Sequence, residues 1–219
     1  MTKFLADGRE FLPILLQGVW LTIVVTSGSL VLSTGLGMIW ALMRVSRVRV
    51  LQRLSMGIVN TIRGIPIIVQ LFYIYFVMPE LGVTLSALQA AIIGLGIAYS
   101  AYQAENFRAA IEAIDKGQIE ASDSLGMGWA LMMRRVVLPQ AIKIMLPPYG
   151  NIMIMMLKDS SQASTITVAE LTLKGQLIAA STFKYTTVLT MVAVLYLVMS
   201  VPLILFVRWL ERRMREGRS

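Results

Sequence analysis

Ionisable residues lie inside long apolar segments of this 219-residue chain, where a charge is costly unless it faces a cavity or a partner. Arg63 lies about nine residues into one such segment, roughly 14 Å along a helix, and Glu105 lies near the end of another. Lys158 and Asp159 are adjacent in a third. A solute that carries both charges needs a cation for its anionic group and an anion or carbonyl for its cationic group. These residues are therefore candidates for a solute pathway.

Uncharged polar residues nearby extend this candidate pathway, because hydroxyl and amide groups add hydrogen bonds. They are Tyr99, Tyr102, Ser160, Ser161 and Gln162. A purely structural alternative stays open for the charges. Arg63 and Glu105 could extend to a membrane interface or pair with each other, and Lys158 and Asp159 point about 100° apart on a helix, so both cannot face one pore squarely.

The composition excludes several kinds of chemistry. The chain has no cysteine and no histidine, which removes disulfides, thiolate catalysis and the usual zinc and copper ligands, so we predict no metal site. It also has no Gly-x-x-x-x-Gly-Lys-Ser/Thr phosphate loop and therefore does not bind ATP in that way. An intramembrane enzyme would need a nucleophile and base at suitable spacing, which we do not find. We predict that the chain is not an enzyme.

The residue content predicts a membrane protein. Hydrophobic residues make up 57% of the chain and charged residues 15%, against a charged share of about 25% in soluble domains. The formal charge of +8 comes from basic residues in short runs between apolar stretches. That distribution is typical of the positive-inside bias of membrane proteins, and we do not expect nucleic-acid binding.

The elements that must position these residues are helices, since about 20 apolar residues form one transmembrane helix. We predict an all-α polytopic fold with five transmembrane helices in one membrane domain, residues 1–219. The predicted spans are Pro13–Met43, Leu54–Met78, Leu85–Asn106, a region between Leu138 and Gln162 interrupted by Pro147 and Pro148, and Thr186–Trp209.

Basic residues determine the predicted orientation, because they concentrate on the cytoplasmic side. They follow the first, third and fifth spans, whereas the opposite loops have few, among them Lys3 and Arg9 at the start. The N-terminus is therefore predicted outside and the C-terminus in the cytoplasm. The residues concerned are Arg44, Arg47, Arg49, Arg53, Arg108, Lys116, Arg134, Arg135, Arg208, Arg212, Arg213, Arg215 and Arg218.

The cytoplasmic stretch from Arg108 to Pro139 is too polar to span and too patterned to be a linker. Ile119, Ser122 and Leu125 recur at helical spacing, with Glu120 and Asp123 on another face. Gly117 precedes this predicted short helix, and Gly126 is placed to end it in a left-handed conformation. A helix lying on lipid is the alternative. The acidic face is unfavourable for anionic headgroups, so we favour a protein partner.

Several motifs in this stretch and beyond it resemble one family, the membrane (permease) subunits of ABC importers. The motifs occur in the family's order over most of the chain and point to its polar amino acid uptake branch, which includes the histidine-, glutamine- and arginine-type permeases. They are Gly117-Gln118-Ile119-Glu120-Ala121-Ser122, Leu125-Gly126, Leu138-Pro139-Gln140-Ala141, Arg63-Gly64-Ile65-Pro66, Gln70-Leu71, Glu105-Asn106-Phe107-Arg108, Leu146-Pro147-Pro148-Tyr149-Gly150-Asn151 and Lys158-Asp159-Ser160-Ser161.

The resemblance implies a type I ABC importer permease fold whose short cytoplasmic helix docks into an ATPase subunit and couples ATP hydrolysis to transport. Its implied coupling residues are Gly117, Glu120, Ala121, Ser122 and Gly126. The sequence departs from the family at Ser122, where alanine is common, and at Gln162, where leucine is common. The second departure bears on the polarity of the wall near Lys158.

The resemblance also implies partners and a location. They are a dimer of cytoplasmic ATP-binding subunits, a second permease subunit, an extracytoplasmic solute-binding protein and membrane lipid, in the inner membrane of a bacterium. No cofactor is expected in this chain, with ATP and Mg²⁺ on the ATPase. The sequence leaves open which amino acid is carried and whether the two permeases are identical. A stand-alone secondary transporter is the alternative, although such folds usually show internal repeats, and none is evident here.

Overall fold

The computed structural model describes the backbone of residues 2–216 and the side chains of residues 7–214, and the regular structure in that part is helical. This confirms the all-α prediction for the described residues. Arg218 and the side chains of Lys3 and Arg215, which entered the predicted orientation, lie outside them. The helices are α1 (Thr2–Val45), α2 (Arg49–Gly64), α3 (Ile67–Phe72), α4 (Ala87–Glu112), α5 (Lys116–Ser124), α6 (Trp129–Met132), α7 (Leu138–Asp159), α8 (Leu171–Thr182) and α9 (Tyr185–Glu216).

Tighter and wider helical turns extend three of these helices. A π-helical turn, Tyr73–Val77, and a 3₁₀ turn, Met78–Leu81, continue α3. A second π-helical turn, Met133–Val137, joins α6 to α7, and a 3₁₀ segment, Ser160–Ile166, continues α7. π-Helical turns are rare and occur frequently at functional sites.

Two helices in the described part are long and apolar enough to cross a membrane, over Asp7–Val45 and Tyr185–Met214. A third is reached only if the bent pair Arg49–Gly64 and Ile67–Leu81 is counted as one span. The predicted count of five is therefore not confirmed. One reason is visible in α4, most of which is buried between other helices and so does not need an apolar surface for lipid.

The second predicted span, Leu54–Met78, is wrong as a single helix. The chain bends by 98° between α2 and α3. Ile65 adopts an extended conformation, with φ −107° and ψ 128°, immediately before Pro66. The proline ring disfavours helical geometry in the residue before it and removes one backbone N–H donor, so the helix ends there. Arg63 consequently lies at the end of α2 and not in the middle of a span.

The prediction that Pro147 and Pro148 interrupt the fourth span is also wrong. α7 runs through both prolines from Leu138 to Asp159. A proline inside a helix removes a backbone hydrogen bond, and neighbouring helices in membrane proteins supply replacements nearby. Asn106 of α4 donates to the carbonyl oxygen of Met145 on α7 at 3.3 Å, whereas the carbonyl groups that Pro147 and Pro148 leave without their usual donor are those of Lys143 and Ile144.

α4 begins with a capping box and packs closely against α1. The Ser86 hydroxyl accepts from the Gln89 N–H, while the Gln89 side chain accepts from the Ser86 N–H. Gly37 of α1 lies so near α4 that a Cβ placed there would stand 2.6 Å from the Cβ of Gln103. A small residue at this position allows the two backbones to approach, as is common between membrane helices.

The buried residues form clusters at different levels of the molecule. At one end, Ala41 of α1, Ile111 of α4 and Ala141 of α7 belong to the same cluster. At the other end, Phe11 of α1 packs in a cluster with Val188 of α9. The basic segments after the first and third predicted spans therefore lie at the same end of the molecule.

Candidate functional site

The short helix α5 is held by defined caps at both ends. The Asp115 carboxylate accepts a hydrogen bond from the Gly117 N–H at 2.7 Å, which satisfies one free donor of the first turn. Gly126 has φ +70°, which confirms the predicted left-handed end, a conformation in which glycine lacks the steric penalty of other residues. Gly117 lies in the first turn of α5 and not before it, so that detail of the prediction is corrected.

One face of α5 anchors the helix to the body of the protein. Ile119 packs against the cluster that contains Ile111, and Ser122 is buried. The Ser122 hydroxyl donates to the carbonyl oxygen of Gln118 at 2.7 Å, so it is satisfied within the helix. Leu125 was predicted on the same face but is 77% exposed, because it follows the last residue of the helix. Ser122 therefore lies beneath the helix, on its anchoring side.

The opposite face of α5 is open to the surroundings. Glu120 and Ala121 are exposed, as are Gly117 and Gly126. Together with Leu125 they form a surface that combines a carboxylate, an apolar side chain and bare backbone. A surface of this kind is suited to a protein partner that approaches the backbone closely.

An ion pair joins α5 to the turn between α1 and α2. Arg47 Nη2 lies 3.3 Å from Asp123 Oδ1, with side-chain exposures of 66% and 47%. An exposed pair of this kind contributes about 0–1 kcal/mol, so the packing of Ile119 does more to hold the helix. The pair nevertheless connects the orientation of α5 to the end of α1.

The structure brings together four of the predicted pathway residues in a row across three helices. The Tyr99 hydroxyl of α4 donates to Asp159 Oδ2 of α7 at 2.7 Å. The Tyr99 and Tyr102 rings are 5.8 Å apart, and the guanidinium carbon of Arg63 lies 5.7 Å from the centre of the Tyr102 ring. A cation above an aromatic ring is attracted to it. The row therefore has a cation at one end and a carboxylate at the other.

Glu105 does not belong to this row. It forms an ion pair with Arg108 on its own helix, with Arg108 Nη2 2.7 Å from Glu105 Oε2, and Arg108 also reaches Glu112 at 2.5 Å. The hydrogen bonds that Arg108 donates to the Glu105 carboxylate raise the pKa of Arg108 above its ordinary value. The alternative pairing of Glu105 with Arg63 is not formed, and Glu105 has a local structural partner.

The remaining predicted pathway residues differ in accessibility. Lys158 is exposed, whereas Ser161 and Gln162 are half-buried. Ser160 is fully buried, and its hydroxyl donates to the carbonyl oxygen of Leu157 at 2.8 Å. Ser160 is therefore turned into the protein, and Lys158 is the more accessible group of this stretch.

Sequence reasoning missed Glu170, which is 0% exposed and begins the unpredicted helix α8. Its carboxylate accepts from the backbone N–H groups of Thr172 and Leu173, both at 2.9 Å, and from the Tyr196 hydroxyl of α9 at 2.8 Å. The Thr22 hydroxyl of α1 lies 3.5 Å away. The signal was present as a single acidic residue between apolar neighbours, but it lay beyond the predicted fourth span.

Comparison with known proteins gives consistent matches. Residues 33–216 match the model of the family described as "Binding-protein-dependent transport system inner membrane component". The chain is 40% identical over 211 residues to the "Probable amino-acid ABC transporter permease protein PatM" of Vibrio harveyi, covering 95% of each protein. It is 41% identical over 172 residues to the "L-cystine transport system permease protein TcyB" of Bacillus subtilis, covering 78% of this chain and 74% of the relative.

A solved structure is also similar over nearly the whole chain. It is described as the "Crystal structure of an amino acid ABC transporter with histidines". The TM-score is 0.88 at 36% sequence identity, with 95% of this chain and 97% of the other covered. Likeness of sequence and of fold therefore extends over the same region.

Proposed function

Because this chain belongs to the family of binding-protein-dependent transport system inner membrane components and is the permease component of an amino-acid ABC transporter, we propose that it forms the translocation pathway of an ATP-driven importer of polar or charged amino acids. The observation that carries this proposal is α5, a capped helix anchored by one face and open on the other. It is the element through which a cytoplasmic ATPase moves the membrane helices.

The exposed side of α5 is the docking surface in this proposal. Glu120 hydrogen-bonds to the ATPase, while Ala121 and Gly126 allow its backbone to come close. Ile119 and Ser122 transmit the movement to the cluster at the ends of α1 and α4. ATP and Mg²⁺ bind to the ATPase and not to this chain.

The row from Arg63 to Asp159 contacts the substrate in this proposal. Arg63 binds the substrate carboxylate and Asp159 the ammonium group, with Lys158 as a second, accessible cation. Asp159 accepts one hydrogen bond from a described residue, that of Tyr99, and a carboxylate has room for several more. Capacity for an incoming ammonium group therefore remains.

The proposed assembly contains two permease subunits, two ATP-binding subunits and an extracytoplasmic solute-binding protein, in a bacterial inner membrane. A relative named for L-cystine transport belongs to the same set of matches. The solute is therefore to be sought among amino acids and closely related compounds.

The coupling role is tested by changing Gly126. A valine there is strained, because a left-handed conformation costs a residue other than glycine about 1–2 kcal/mol. Its side chain also projects from the docking surface and keeps the ATPase from the backbone. We expect Gly126→Val to retain ATP hydrolysis in the reconstituted complex but to lose coupled uptake. The measurement is the number of ATP molecules hydrolysed per solute taken up into vesicles.

Gly128→Val is the matched control. Gly128 has φ −64° and open space around the position of a Cβ, so valine is accommodated without strain. Normal coupling is expected for it. Wild-type uptake by Gly126→Val, with equal amounts of protein in the membrane, would contradict the docking role. ATPase stimulation by a panel of amino acids then identifies the substrate.

A further inference from the structure

The turn between α1 and α2 combines basic and apolar side chains on an exposed surface. Residues 44–54, here called the basic segment, contain Arg44, Arg47, Arg49 and Arg53. Apolar side chains are interspersed with them, and Val48, Val50 and Leu54 are 52%, 65% and 53% exposed. Exposing these apolar side chains to water costs free energy unless a second surface covers them.

α2 crosses α4 near the end of the third predicted span. The Ser55 hydroxyl donates to the Trp40 carbonyl oxygen at 2.7 Å, and Val59 packs on Ala101 and Ala104. Arg63 lies over Tyr102 on the same part of α4. The stretch of α2 from Ser55 to Arg63, roughly 12 Å of helix, therefore lies beside only about one turn of α4. α2 runs across α4, at the end of the membrane-spanning part of α1.

Most of the charge in the basic segment is not neutralised within the described part of the chain. Arg47 has Asp123 as its partner. Among the described side chains, no carboxylate lies within ion-pair distance of Arg44, Arg49 or Arg53. Unpaired arginines beside exposed apolar side chains are the pattern that binds anionic lipid at an interface.

A shallow, open groove beside Arg53 is lined mainly by apolar atoms. It has a volume of about 530 Å³ and lies on α2. Gly57 forms its floor, and a Cβ placed at Gly57 would meet nothing within 4 Å, so packing inside this chain does not require a glycine. Glycine in a helix interior costs about 1 kcal/mol relative to alanine. The groove is lined by Arg53, Leu54, Gly57, Ile58, Thr61 and Ile62.

We propose that the basic segment and this groove bind an anionic phospholipid. Arg49 and Arg53 hold the phosphate, and an acyl chain lies along Leu54 and Gly57. Charge favours lipid over a second copy of this chain, because a two-fold contact through this surface would bring the same arginines of both copies together. The proposal goes beyond transport and does not depend on which solute is carried.

Native mass spectrometry of the full-length chain, purified with the subunits that remain bound, tests the proposal. The sample is titrated with phosphatidylglycerol and, separately, with phosphatidylcholine. Each arginine near an anionic surface contributes about 1 kcal/mol, so Arg49→Gln with Arg53→Gln is expected to weaken the tightest phosphatidylglycerol adduct about 30-fold. Phosphatidylcholine binding should not change. Arg212→Gln with Arg213→Gln removes the same charge from α9 and should retain the adduct.

A second variant distinguishes lipid from a protein occupant. Gly57→Leu fills the groove from an open position, so the fold should be kept, and unfolding temperatures in detergent check this. We expect loss of the phosphatidylglycerol adduct while copies of the chain remain associated. The proposal is overturned if the wild type shows no preference for phosphatidylglycerol. It is equally overturned if both arginine pairs lose the adduct alike, or if Gly57→Leu separates the copies and leaves the lipid bound.

Discussion

The carboxylates of Glu170 and Asp159 lie in different environments, and the difference indicates a structural role for the first and a ligand-binding role for the second. Glu170 accepts two backbone N–H groups and the Tyr196 hydroxyl, and it connects α8 to α9 and, through Thr22, to α1. Its acceptor sites are largely occupied. Asp159 is half-buried and accepts from Tyr99. Glu170 is therefore a structural residue, while Asp159 keeps capacity for a ligand.

Glu170→Ala should destabilise the protein. It leaves the Thr172 and Leu173 N–H groups and the Tyr196 hydroxyl without their acceptor, and hydrogen bonds to a charged group contribute about 1.5–3 kcal/mol each. We expect the free energy of unfolding to fall by at least about 3 kcal/mol. It is measured from the midpoint and slope of denaturant unfolding in detergent.

Two comparisons accompany that variant. Tyr196→Phe removes one of these donors and should cost about 1.5–3 kcal/mol. Glu120→Ala changes an exposed acidic residue and should leave stability unchanged while it reduces coupling. Equal stability of Glu170→Ala and the wild type would show that the carboxylate is not a structural residue.

Among the helices, the break between α2 and α3 has the largest effect on where the charged residues lie. Pro66 ends α2, and the freed carbonyl groups are satisfied by one side chain. Gln70 Nε2 donates to the carbonyl oxygens of Ile62 and Ile65, at 2.9 Å each. This amide holds the bend, and the bend brings Arg63 over Tyr102.

Gln70→Leu should loosen the bend. The Ile65 carbonyl loses its side-chain donor and the Ile62 carbonyl keeps only the Ile65 N–H at 3.4 Å. Each lost bond contributes about 0.5–1.5 kcal/mol, so the angle between α2 and α3 should become variable. The chain has no cysteine, so spin labels can be attached only at the two introduced cysteines, Thr61→Cys and Phe76→Cys. The distance between the two labels reports the angle between α2 and α3. A wider distance distribution is expected.

Gln140→Leu is the control for that measurement, because the exposed Gln140 side chain donates to a single carbonyl oxygen, that of Val136, far from the bend. It should leave the distribution unchanged. A narrow, wild-type distribution for Gln70→Leu would mean that Pro66 alone maintains the bend.

At the scale of the whole molecule, the fold separates two ends with different chemistry. One carries α5 and the basic segment, and the other carries the turn between α8 and α9. There Lys184 forms an ion pair with Asp7 at 2.6 Å, and its ammonium lies 5.4 Å from the Phe11 ring centre. In the proposed assembly the ATPase and the solute-binding protein approach from opposite sides, and these two ends are the surfaces for them.

Labelling with a membrane-impermeant maleimide tests which end is outside. Ser124→Cys lies at the end of α5 and Ser181→Cys near the end of α8, and both serines are exposed. We expect Ser181→Cys to react in intact cells whose outer surface is accessible, and Ser124→Cys only after the membrane is opened. The reverse pattern would overturn the orientation and the docking role of α5 together.

The sequence by itself determined that the protein lies in a membrane, that its fold is helical and that a short helix, α5, follows α4. Long apolar segments require helices, so α1 and α9 were predictable, with α1 extending to Val45. The end of α5 at Gly126 was predictable too, because glycine adopts the left-handed backbone conformation more readily than other residues. These features depend on properties of neighbouring residues along the chain.

The tertiary structure decided which side chains meet. Helical spacing predicts the residues that share a face but not the helix that covers it, so the contact of Tyr99 with Asp159 and the burial of Glu170 were beyond the sequence. The prolines show the same limit. Pro66 ends a helix, while Pro147 and Pro148 are accommodated within α7, because packing against α4 and α9 stabilises α7 despite the missing hydrogen bonds.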